Sequence, residues 1–302
     1  MAVPPPESIA VVVNTRAGTA MGHPRIAAEL TDHFRAAGRE IEIIALRDGQ
    51  SPTDVARTAS ERAAIVVAAG GDGTVSSVAA GIVNSPAALG VLPLGTLNHF
   101  AKDLHIPLDL EKAVAVVAAG RVGQVDVGQV NDSVFVNNSS IGIYPSIVEA
   151  RDALTSQGHG KWLAMAIATA RVLWRYRGVT VSIDVDGRRR TWRTPFVFVG
   201  NNAYAIDGLR LGERARLDEG KLFVYLAPRL RARQLPLLLA KALIGRAGQS
   251  GDFEIVPATE VWIGTWMVRR QRVALDGEVR KMNTPLHYRT RAHALRVVLP
   301  EA

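Results

Sequence analysis

Residues 64–81, AIVVAAGGDGTVSSVAAG, combine residue types that suit the binding of a phosphate group. The stretch begins as a short apolar run, Ala64–Ala69, which predicts a buried strand. Three glycines follow, and beyond them apolar residues recur at helical spacing. A helix N-terminus directs N–H groups and a positive dipole end at an anion, and glycines let the anion approach the backbone. The loop with Gly70, Gly71 and Gly73 is therefore a candidate phosphate loop, with an ordinary strand-to-helix turn as the alternative.

Two polar residues of this loop add detail to the hypothesis. The Thr74 hydroxyl can cap the helix or bond a phosphate oxygen. The Asp72 carboxylate repels a phosphate unless a cation or a network of donors lies between them. No lysine follows the glycines, so the loop is not a P-loop of the GxxxxGK[ST] type.

The N-terminal part of the chain alternates predicted strands and helices, which favours a parallel sheet covered by helices. Ligands of such sheets bind at the carboxyl ends of the strands. Asn14, the glycine loop and the segment Pro93–Asn98 each follow a strand, so we expect them at one edge. The predicted strands are Ile9–Val13, Ile41–Leu46, Ala64–Ala69 and Leu89–Leu92, and the predicted helices are His23–Ala37, Pro52–Arg62 and Leu110–Ala119.

From about residue 124 onward, short strands with turn signals dominate, which predicts a second, mostly antiparallel β domain. Asp186-Gly187 and Asp276-Gly277 are dipeptides typical of hairpin turns. Lys161–Arg177 and Arg231–Gly245 are predicted as helices between the strands. The predicted strands are Val125–Gln129, Val134–Asn137, Val179–Asp186, Thr191–Gly200, Leu222–Ala227, Asp252–Val256, Glu260–Trp266, Gln271–Leu275 and Ala294–Leu299.

The composition limits the class of protein. The chain has 302 residues, a net charge of +8 and no cysteine, so disulfides and thiolate metal ligands are excluded. The positive charge favours an anionic partner, with a solubilising surface charge as the alternative. No export signal and no run of membrane-spanning length are recognised, so a cytoplasmic location is expected.

Four motifs in order resemble those of the diacylglycerol kinase catalytic-domain family, the soluble bacterial lipid kinases related to sphingosine and ceramide kinases. They are Ala69-Gly-Gly-Asp-Gly-Thr74, Pro93-Leu-Gly-Thr-Leu-Asn98, Leu217-Asp-Glu-Gly220 and Leu275-Asp-Gly-Glu278. The resemblance covers essentially the whole chain. It implies an α/β nucleotide-binding domain (1–123 and about 291–302), a C-terminal β-sandwich domain (124–290) that receives the lipid, and an active site in the cleft. The implied activity is phosphorylation of a lipid hydroxyl that depends on ATP and Mg²⁺.

The resemblance also implies roles for individual residues. Asp276 matches the family's proton acceptor with Glu278 beside it, and Asp72 matches a carboxylate linked through water to Mg²⁺. A hydroxyl that attacks a phosphoryl group loses its proton, so a carboxylate within hydrogen-bond reach is needed. The implied nucleotide-binding residues are Asn14, Gly70, Gly71, Asp72, Gly73, Thr74, Val75, Ser76, Thr96 and Asn98. The implied second, structural Mg²⁺ site comprises the Glu219 carboxylate, main-chain oxygens of Arg216 and Lys221, and Asp218 as the competing ligand.

The alternatives for the last two motifs are plain turns, since Asp276-Gly277 suits a hairpin with solvated carboxylates and Leu217–Gly220 precedes a predicted strand. One departure from the family is His99, where many members have Asp. Either Asp126 and Asp103 compensate for the lost carboxylate, or metal affinity and substrate preference differ. His99 also suits a structural residue at a helix start.

A lipid substrate implies contact with a membrane surface at the inner face of the membrane. Lys161–Arg177 and Arg229–Arg246 combine basic, aromatic and apolar residues as interfacial helices do, although both also suit packing onto the β domain. The rival functions are a kinase of a soluble substrate, such as an NAD kinase, and a nucleotide- or lipid-binding homologue without turnover. No nucleic-acid partner is expected, because the basic residues accompany no recognisable nucleic-acid module. The oligomeric state stays open, a homodimer included.

Overall fold

The computed structural model describes residues 8–14, 25–156, 161–176, 178–185, 187–205, 212–227, 234–237, 254–265 and 268–301. The chain divides into two compact units. Unit 1 comprises Met1–Val127 and Ala292–Ala302, and unit 2 comprises Gly128–Arg291. Among the described residues, no helix has the length and apolar character needed to cross a bilayer.

Unit 1 is built on a parallel sheet in the order β2-β1-β3-β4. Ile9 of β1 pairs with Ile41 on one side and Ile65 on the other, and β3 pairs in parallel with β4. Every residue of β1, β3 and β4 is buried, as expected for strands covered on both faces. The elements are β1 (Ile9–Val13), α1 (Ile26–Ala36), β2 (Ile41–Ala45), α2 (Pro52–Ala59), β3 (Ile65–Gly70), α3 (Asp72–Ile82), β4 (Ala88–Pro93), α4 (His99–Asp103) and α5 (Leu110–Ala119).

Two of these helices begin at residues whose side chains cap them. The Ser51 hydroxyl accepts a hydrogen bond from the Asp54 N–H ahead of α2, and Pro52 occupies the first helical position. The Asp109 carboxylate accepts from the Lys112 N–H ahead of α5. Each cap satisfies a backbone donor that has no partner within the helix.

Unit 2 contains two antiparallel arrangements of strands. One is a six-stranded sheet in the order β12-β11-β10-β7-β14-β15, and in the other β13 pairs with both β16 and β8, and β8 with β9. The elements are β5 (Val122–Val130), β6 (Ser133–Phe135), β7 (Asn138–Gly142), α6 (Ile143–Ser156), α7 (Lys161–Arg175), β8 (Val179–Val185), β9 (Arg188–Thr194), β10 (Phe196–Asn201), β11 (Leu222–Leu226), β12 (Glu254–Ala258), β13 (Glu260–Thr265), β14 (Arg270–Leu275), β15 (Glu278–Asn283) and β16 (Leu286–Val298). The first residues of β5 and the last residues of β16 belong to unit 1.

Side chains from both arrangements meet in one apolar core in unit 2. Ile141 and Val199 come from the six-stranded sheet, and Ile183 and Val261 from the other strands. Tyr288 is fully buried there, and burial raises the pKa of its phenol although a hydrogen bond with Ser139 acts in the opposite direction. The predicted fold class, a parallel α/β domain followed by an antiparallel β-sandwich domain, is confirmed.

Several predicted elements differ in detail. Thr191–Gly200, predicted as one strand, is two strands that are separated at Pro195, because proline cannot donate a ladder hydrogen bond. The strand β7 and the helix α6 were not predicted. The predicted helix Arg231–Gly245 lies outside the described residues except for positions 234–237.

Candidate active site

The turn between β3 and α3 leaves the start of a helix without a side-chain cap. The N-cap residue is Gly71, in an extended conformation, and it has no side chain with which to cap this end. The N–H groups of Thr74 and Val75 donate back to the Gly71 carbonyl oxygen at 2.9 and 3.1 Å. Helical structure thus begins immediately after the strand, and the positive end of its dipole is available to an anion.

A second loop, Pro93–Asn98, packs directly against this turn. A Cβ atom added to Gly95 would lie 2.5 Å from the Gly71 Cα, so the two loops touch through glycine backbone. The Asn98 side chain shapes the second loop, because its Oδ1 accepts from the Gly95 N–H at 2.9 Å and its Nδ2 donates to the Gly95 carbonyl at 2.8 Å. Asn98 itself is buried and has a φ of 51°, a left-handed conformation that asparagine tolerates better than most residues. Thr96 is exposed on the same loop.

The loop after β1 joins the same edge of the sheet. Asn14 Nδ2 donates to Thr74 Oγ1 at 3.1 Å, and the Asn14 N–H donates to the Ala69 carbonyl at 3.2 Å. The predicted nucleotide-binding residues of three separate loops are thereby brought together within unit 1.

Asp72 connects the first helical turn of α3 to the start of α4. One of its carboxylate oxygens, Oδ1, accepts a hydrogen bond from the Phe100 N–H at 3.4 Å. Because Asp72 lies in the first turn of α3 and contacts the first turn of α4, its negative charge is placed at the positive ends of two helices. The Phe100 N–H is thus one donor beside the Asp72 carboxylate.

His99 is the first residue of α4, the helix start at which the structural interpretation put it, and it is exposed. Asp126, considered as a compensating carboxylate, is buried and accepts a hydrogen bond from the His293 N–H at 2.8 Å. That carboxylate holds the backbone of β16 at a residue with a φ of 53°. This hydrogen bond thus supports the left-handed backbone conformation of His293 within β16.

In unit 2, Asp276 occupies the tight turn between β14 and β15. Asp276 and Gly277 have φ values of 46° and 92°, as both central residues of a type I′ hairpin turn do. The Asp276 carboxylate accepts three backbone hydrogen bonds from consecutive residues, from Val136 at 2.9 Å, Asn137 at 2.8 Å and Asn138 at 3.0 Å. Its own N–H donates to the Asn138 carbonyl at 2.9 Å. The hairpin alternative was therefore correct about the turn, but the carboxylate is not simply solvated.

Glu278, the other carboxylate of this motif, is the first residue of β15 and is exposed. Its Oε2 lies 3.2 Å from Arg280 Nη2. The turn therefore presents one carboxylate fixed by backbone donors and a second that reaches solvent.

The segment 216–221 combines a carboxylate bonded to the backbone with an exposed carboxylate that pairs with an arginine. Glu219 Oε2 accepts from the Ala203 N–H at 2.9 Å, and the Glu219 N–H donates to Asn202 Oδ1 at 3.0 Å. Asp218 is exposed and pairs with Arg216 at 3.0 Å, a hydrogen bond that raises the pKa of that guanidinium. The Lys221 carbonyl accepts from the Asn202 N–H at 3.0 Å.

Comparison with known proteins gives a match for each of the two parts of the chain. Residues 8–130 match the model of the diacylglycerol kinase catalytic domain, and residues 144–299 match that of the YegS C-terminal NAD kinase beta sandwich-like domain. The second match spans more than half of the chain, which therefore belongs to the family of that domain and carries a diacylglycerol kinase catalytic domain ahead of it. The predicted resemblance is thereby confirmed, and so is its extent, since the two matches together cover most of the chain.

Individual relatives agree with this assignment. The chain is 38% identical to a diacylglycerol kinase of Staphylococcus saprophyticus over 65% of each chain, so the match spans slightly less than two thirds of that relative's length. It is 29% identical to a Chromohalobacter salexigens protein named "Probable lipid kinase YegS-like", over 83% of this chain and 81% of the relative. A solved structure described as a diacylglycerol kinase from Bacillus anthracis str. Sterne superposes with a TM-score of 0.72 at 19% identity, over 97% of both chains. At that identity, the last likeness concerns the fold alone.

The donor set at segment 216–221 partly fits the Mg²⁺ ion that the family implies. Carboxylate and carbonyl oxygens are the ligands that Mg²⁺ takes, and it usually keeps several waters. The segment supplies both kinds of oxygen, but no group of three or more His, Cys, Asp or Glu side chains capable of holding a metal occurs among the described residues. Since Glu219 accepts a backbone hydrogen bond while Asp218 is exposed, the geometry makes Asp218 the more accessible carboxylate.

The sequence analysis did not identify four polar residues that bond to the two unit 2 motifs or to the backbone that holds them. Arg214, Asn137, Asn201 and Asn202 are all buried. A single arginine in an arginine-rich chain carries no sequence signal. The pairs Asn137-Asn138 and Asn201-Asn202 stand at strand ends and offered the only hint.

Proposed function

We propose that this chain is a lipid kinase that transfers the γ-phosphoryl group of ATP, in the presence of Mg²⁺, to a hydroxyl of a lipid such as diacylglycerol. The contact between Gly71 and Gly95 carries the proposal. It places two glycine loops together at an uncapped helix N-terminus, in a chain that carries a diacylglycerol kinase catalytic domain. Phosphoryl transfer depends mainly on positioning and charge, which backbone N–H groups and a fixed carboxylate supply.

In this proposal the residues of unit 1 bind the nucleotide. The backbone of Gly70–Ser76 holds phosphate oxygens, and the Pro93–Asn98 loop lies beside them with Thr96 exposed. The hydrogen bond between Asn14 and Thr74 fixes the Thr74 hydroxyl at the start of α3. Asp72 would be the carboxylate through which bound Mg²⁺ is held, and the ion would neutralise charge on the transferred phosphoryl group.

The residues of unit 2 would orient the lipid hydroxyl and take its proton. The Asp276–Glu278 pair supplies the carboxylate, with Asp276 held in place by three N–H donors. Asp218, Glu219 and the main-chain oxygens of Arg216 and Lys221 would hold the second, structural Mg²⁺ ion. That ion would stiffen the loop.

The test is incorporation of labelled phosphate from ATP, with Mg²⁺ and a bacterial lipid extract in mixed micelles. We expect label in an organic-phase product, strongly reduced in Asp276→Asn. Asp132→Asn is the matched control, since Asp132 is an exposed residue of the turn between β5 and β6, and it should retain activity. Label appearing only when NAD replaces the lipid would instead identify a kinase of a soluble substrate. Nucleotide binding without any label would identify a homologue without turnover.

We also propose that α7 meets the membrane surface that carries the lipid. Leu163, Ile167 and Trp174 follow one another at helical spacings of four and seven and so share a face, and they are 57%, 36% and 88% exposed. Arg171 is exposed on the same helix. An apolar stripe with a cation beside it suits the boundary between anionic headgroups and acyl chains. The second predicted interfacial segment, Arg229–Arg246, lies outside the described residues except for 234–237.

Vesicle sedimentation tests this surface. Trp174→Ala should bind vesicles that contain anionic lipid more weakly than the unmodified chain does. The unmodified chain should bind purely zwitterionic vesicles more weakly than anionic ones. Trp262→Ala is the control, because Trp262 is also exposed but stacks on His287 within a strand pair. Equal binding by Trp174→Ala and the unmodified chain would remove α7 from the proposal.

A further inference from the structure

The backbone segment Val136–Asn138 is held from two sides by charged side chains of unit 2. On its N–H side, three consecutive amides donate to the Asp276 carboxylate. On its other side, Arg214 Nη1 donates to the Val136 carbonyl at 2.8 Å, and Nη2 donates to Asn137 Oδ1 at 2.7 Å. The segment thus lies between a carboxylate and a guanidinium.

A single peptide unit joins the two charged groups. The Val136 carbonyl that accepts from Arg214 and the Asn137 N–H that donates to Asp276 belong to the same peptide bond. Its negative end faces the cation and its positive end faces the anion. Hydrogen bonds in such a chain polarise and strengthen one another in a low-dielectric interior.

Arg214 is placed to use its rigid fork of donors. Only 3% of the residue is exposed. Its Nη1 also donates to the Asn201 carbonyl at 3.0 Å, and its guanidinium lies 5.3 Å from the centre of the Tyr204 ring. Lysine keeps the charge but has no planar fork, so it cannot reproduce these contacts together.

The same network reaches the segment that is the candidate metal loop. Arg214 lies two residues before Arg216. The two residues that follow Asn201 also contact this loop, because Asn202 Oδ1 accepts from the Glu219 N–H and the Ala203 N–H donates to the Glu219 carboxylate. Tyr225 closes this part, because its hydroxyl accepts from the Tyr204 N–H at 2.8 Å and donates to the Tyr204 carbonyl.

We infer that Arg214 is a positioning residue: by holding Val136–Asn138, it fixes the Asp276 carboxylate and ties the 216–221 loop to the same backbone segment. The inference rests on the proposed function for its catalytic consequence only. The structural part, that Arg214 restrains the amides bonded to Asp276, stands without it.

Two variants test the inference. Arg214→Lys keeps the charge and loses the fork, whereas Arg214→Met keeps much of the packing and loses the charge. Arg272→Met is the matched control, since Arg272 is an exposed arginine of unit 2 that pairs with Glu149. Thermal unfolding of each variant identifies those that remain folded, and if Arg214→Met does not fold, Arg214→Lys and Asn137→Ala carry the test.

The first readout is hydrogen exchange of the amides of 136–138, which needs no activity. We expect exchange to accelerate at least tenfold in both Arg214 variants and in Asp276→Asn, and to stay unchanged in Arg272→Met. Folded Arg214 variants whose amides 136–138 exchange at the unmodified rate would overturn the inference, whatever the chain's activity.

The second readout separates kcat from KM in lipid phosphorylation. Since the proposed nucleotide residues belong to unit 1, Arg214→Lys should lower kcat by tenfold or more while the KM for ATP changes less than twofold. A smaller folded fraction of Arg214→Lys would also lower the apparent kcat, but it would accelerate exchange throughout unit 2 and not only at the amides of 136–138. If the unmodified chain phosphorylates no lipid, the proposed function fails, and the exchange experiment alone decides the inference.

Discussion

Gly95→Ala is the most direct test of the close contact between the two glycine loops. The added methyl group would lie 2.5 Å from the Gly71 Cα and 2.7 Å from Asn98 Oδ1. Ordinary contact begins at 3.4 Å, so the loops must separate by about 0.9 Å. The φ of Gly95 lies outside the left-handed region, so alanine fits the local backbone. The penalty therefore comes from the contact itself.

The size of the effect follows from that displacement. Overpacking of this kind costs roughly 1–3 kcal/mol. For a unit of this size, each kcal/mol lowers the melting temperature by roughly 2–8 °C. A misplacement near 1 Å at a positioning loop costs up to about 100-fold in rate. We therefore expect Gly95→Ala to melt several degrees lower and to lose one to two orders of magnitude in kcat/KM for ATP.

A graded series supplies the controls. Gly71→Ala places its methyl 3.3 Å from the Gly95 Cα, which needs an adjustment of only a few tenths of an ångström, so the melting temperature should fall only slightly. Its nucleotide affinity should still fall, because the added methyl group lies in the proposed phosphate loop. Gly264→Ala meets its nearest neighbouring atom at 3.8 Å and should behave as the unmodified chain. Melting curves and the kcat/KM for ATP in the labelled-phosphate assay measure the series, and calorimetric titration measures the nucleotide affinity. Unchanged melting and nucleotide affinity in Gly95→Ala would refute the close contact and, with it, the observation that carries the proposed function.

Three further predictions concern single contacts. Tyr288→Phe removes the hydrogen-bond partner of the buried Ser139 hydroxyl and should lower the free energy of unfolding, measured by chemical denaturation, by about 1–3 kcal/mol. Adding Ser139→Ala should recover part of that loss, and additive losses in the double variant would contradict a shared hydrogen bond. Hydrogen bonds from Arg62 hold the pKa of Glu42 below its usual value, so their stabilisation is present above about pH 4.3 and is lost as the pH falls through the lowered pKa. Because both side chains are about half exposed, Glu42→Gln should cost at most about 1 kcal/mol at neutral pH and nothing in strong acid, and an equal cost at both would contradict the ion pair. Burial raises the pKa of Tyr176 to about 12, so Tyr176→Phe should leave the tyrosinate absorbance formed below about pH 11 unchanged; a lost step there would place this phenol in solvent.

Local signals in the sequence predicted the parts of the site that depend on neighbouring residues. The glycine loop follows an apolar run and precedes helical spacing, so its strand-turn-helix geometry is encoded within one short stretch. The Asp276-Gly277 dipeptide predicted a hairpin turn for the same reason, because both residues tolerate positive φ.

Features that depend on contacts between distant residues could not be predicted from the sequence. The strand β7 has the sequence Asn-Ser-Ser-Ile-Gly, which lacks the apolar alternation of a strand. Its partners β10 and β14 come from distant parts of the sequence. No feature of the sequence around Arg214 predicts that it binds residues 136–137, more than seventy positions earlier. The three N–H donors to Asp276 are equally remote, so its carboxylate was expected to be either catalytic or solvated.

The strand β16 has a consequence for the order in which the chain becomes structured during synthesis. Val297 pairs with Leu89 of β4, and the Leu299 N–H donates to the Arg121 carbonyl, so unit 1 includes residues made long after its other strands. At ordinary elongation rates, the ribosome needs roughly 10 to 30 s to pass from residue 127 to this strand. During that interval the edge of β4 lacks its partner strand β16. A nascent chain that stops within unit 2 therefore carries the glycine loops on an incomplete sheet. Folding of this chain is therefore expected to finish with the unit that began first.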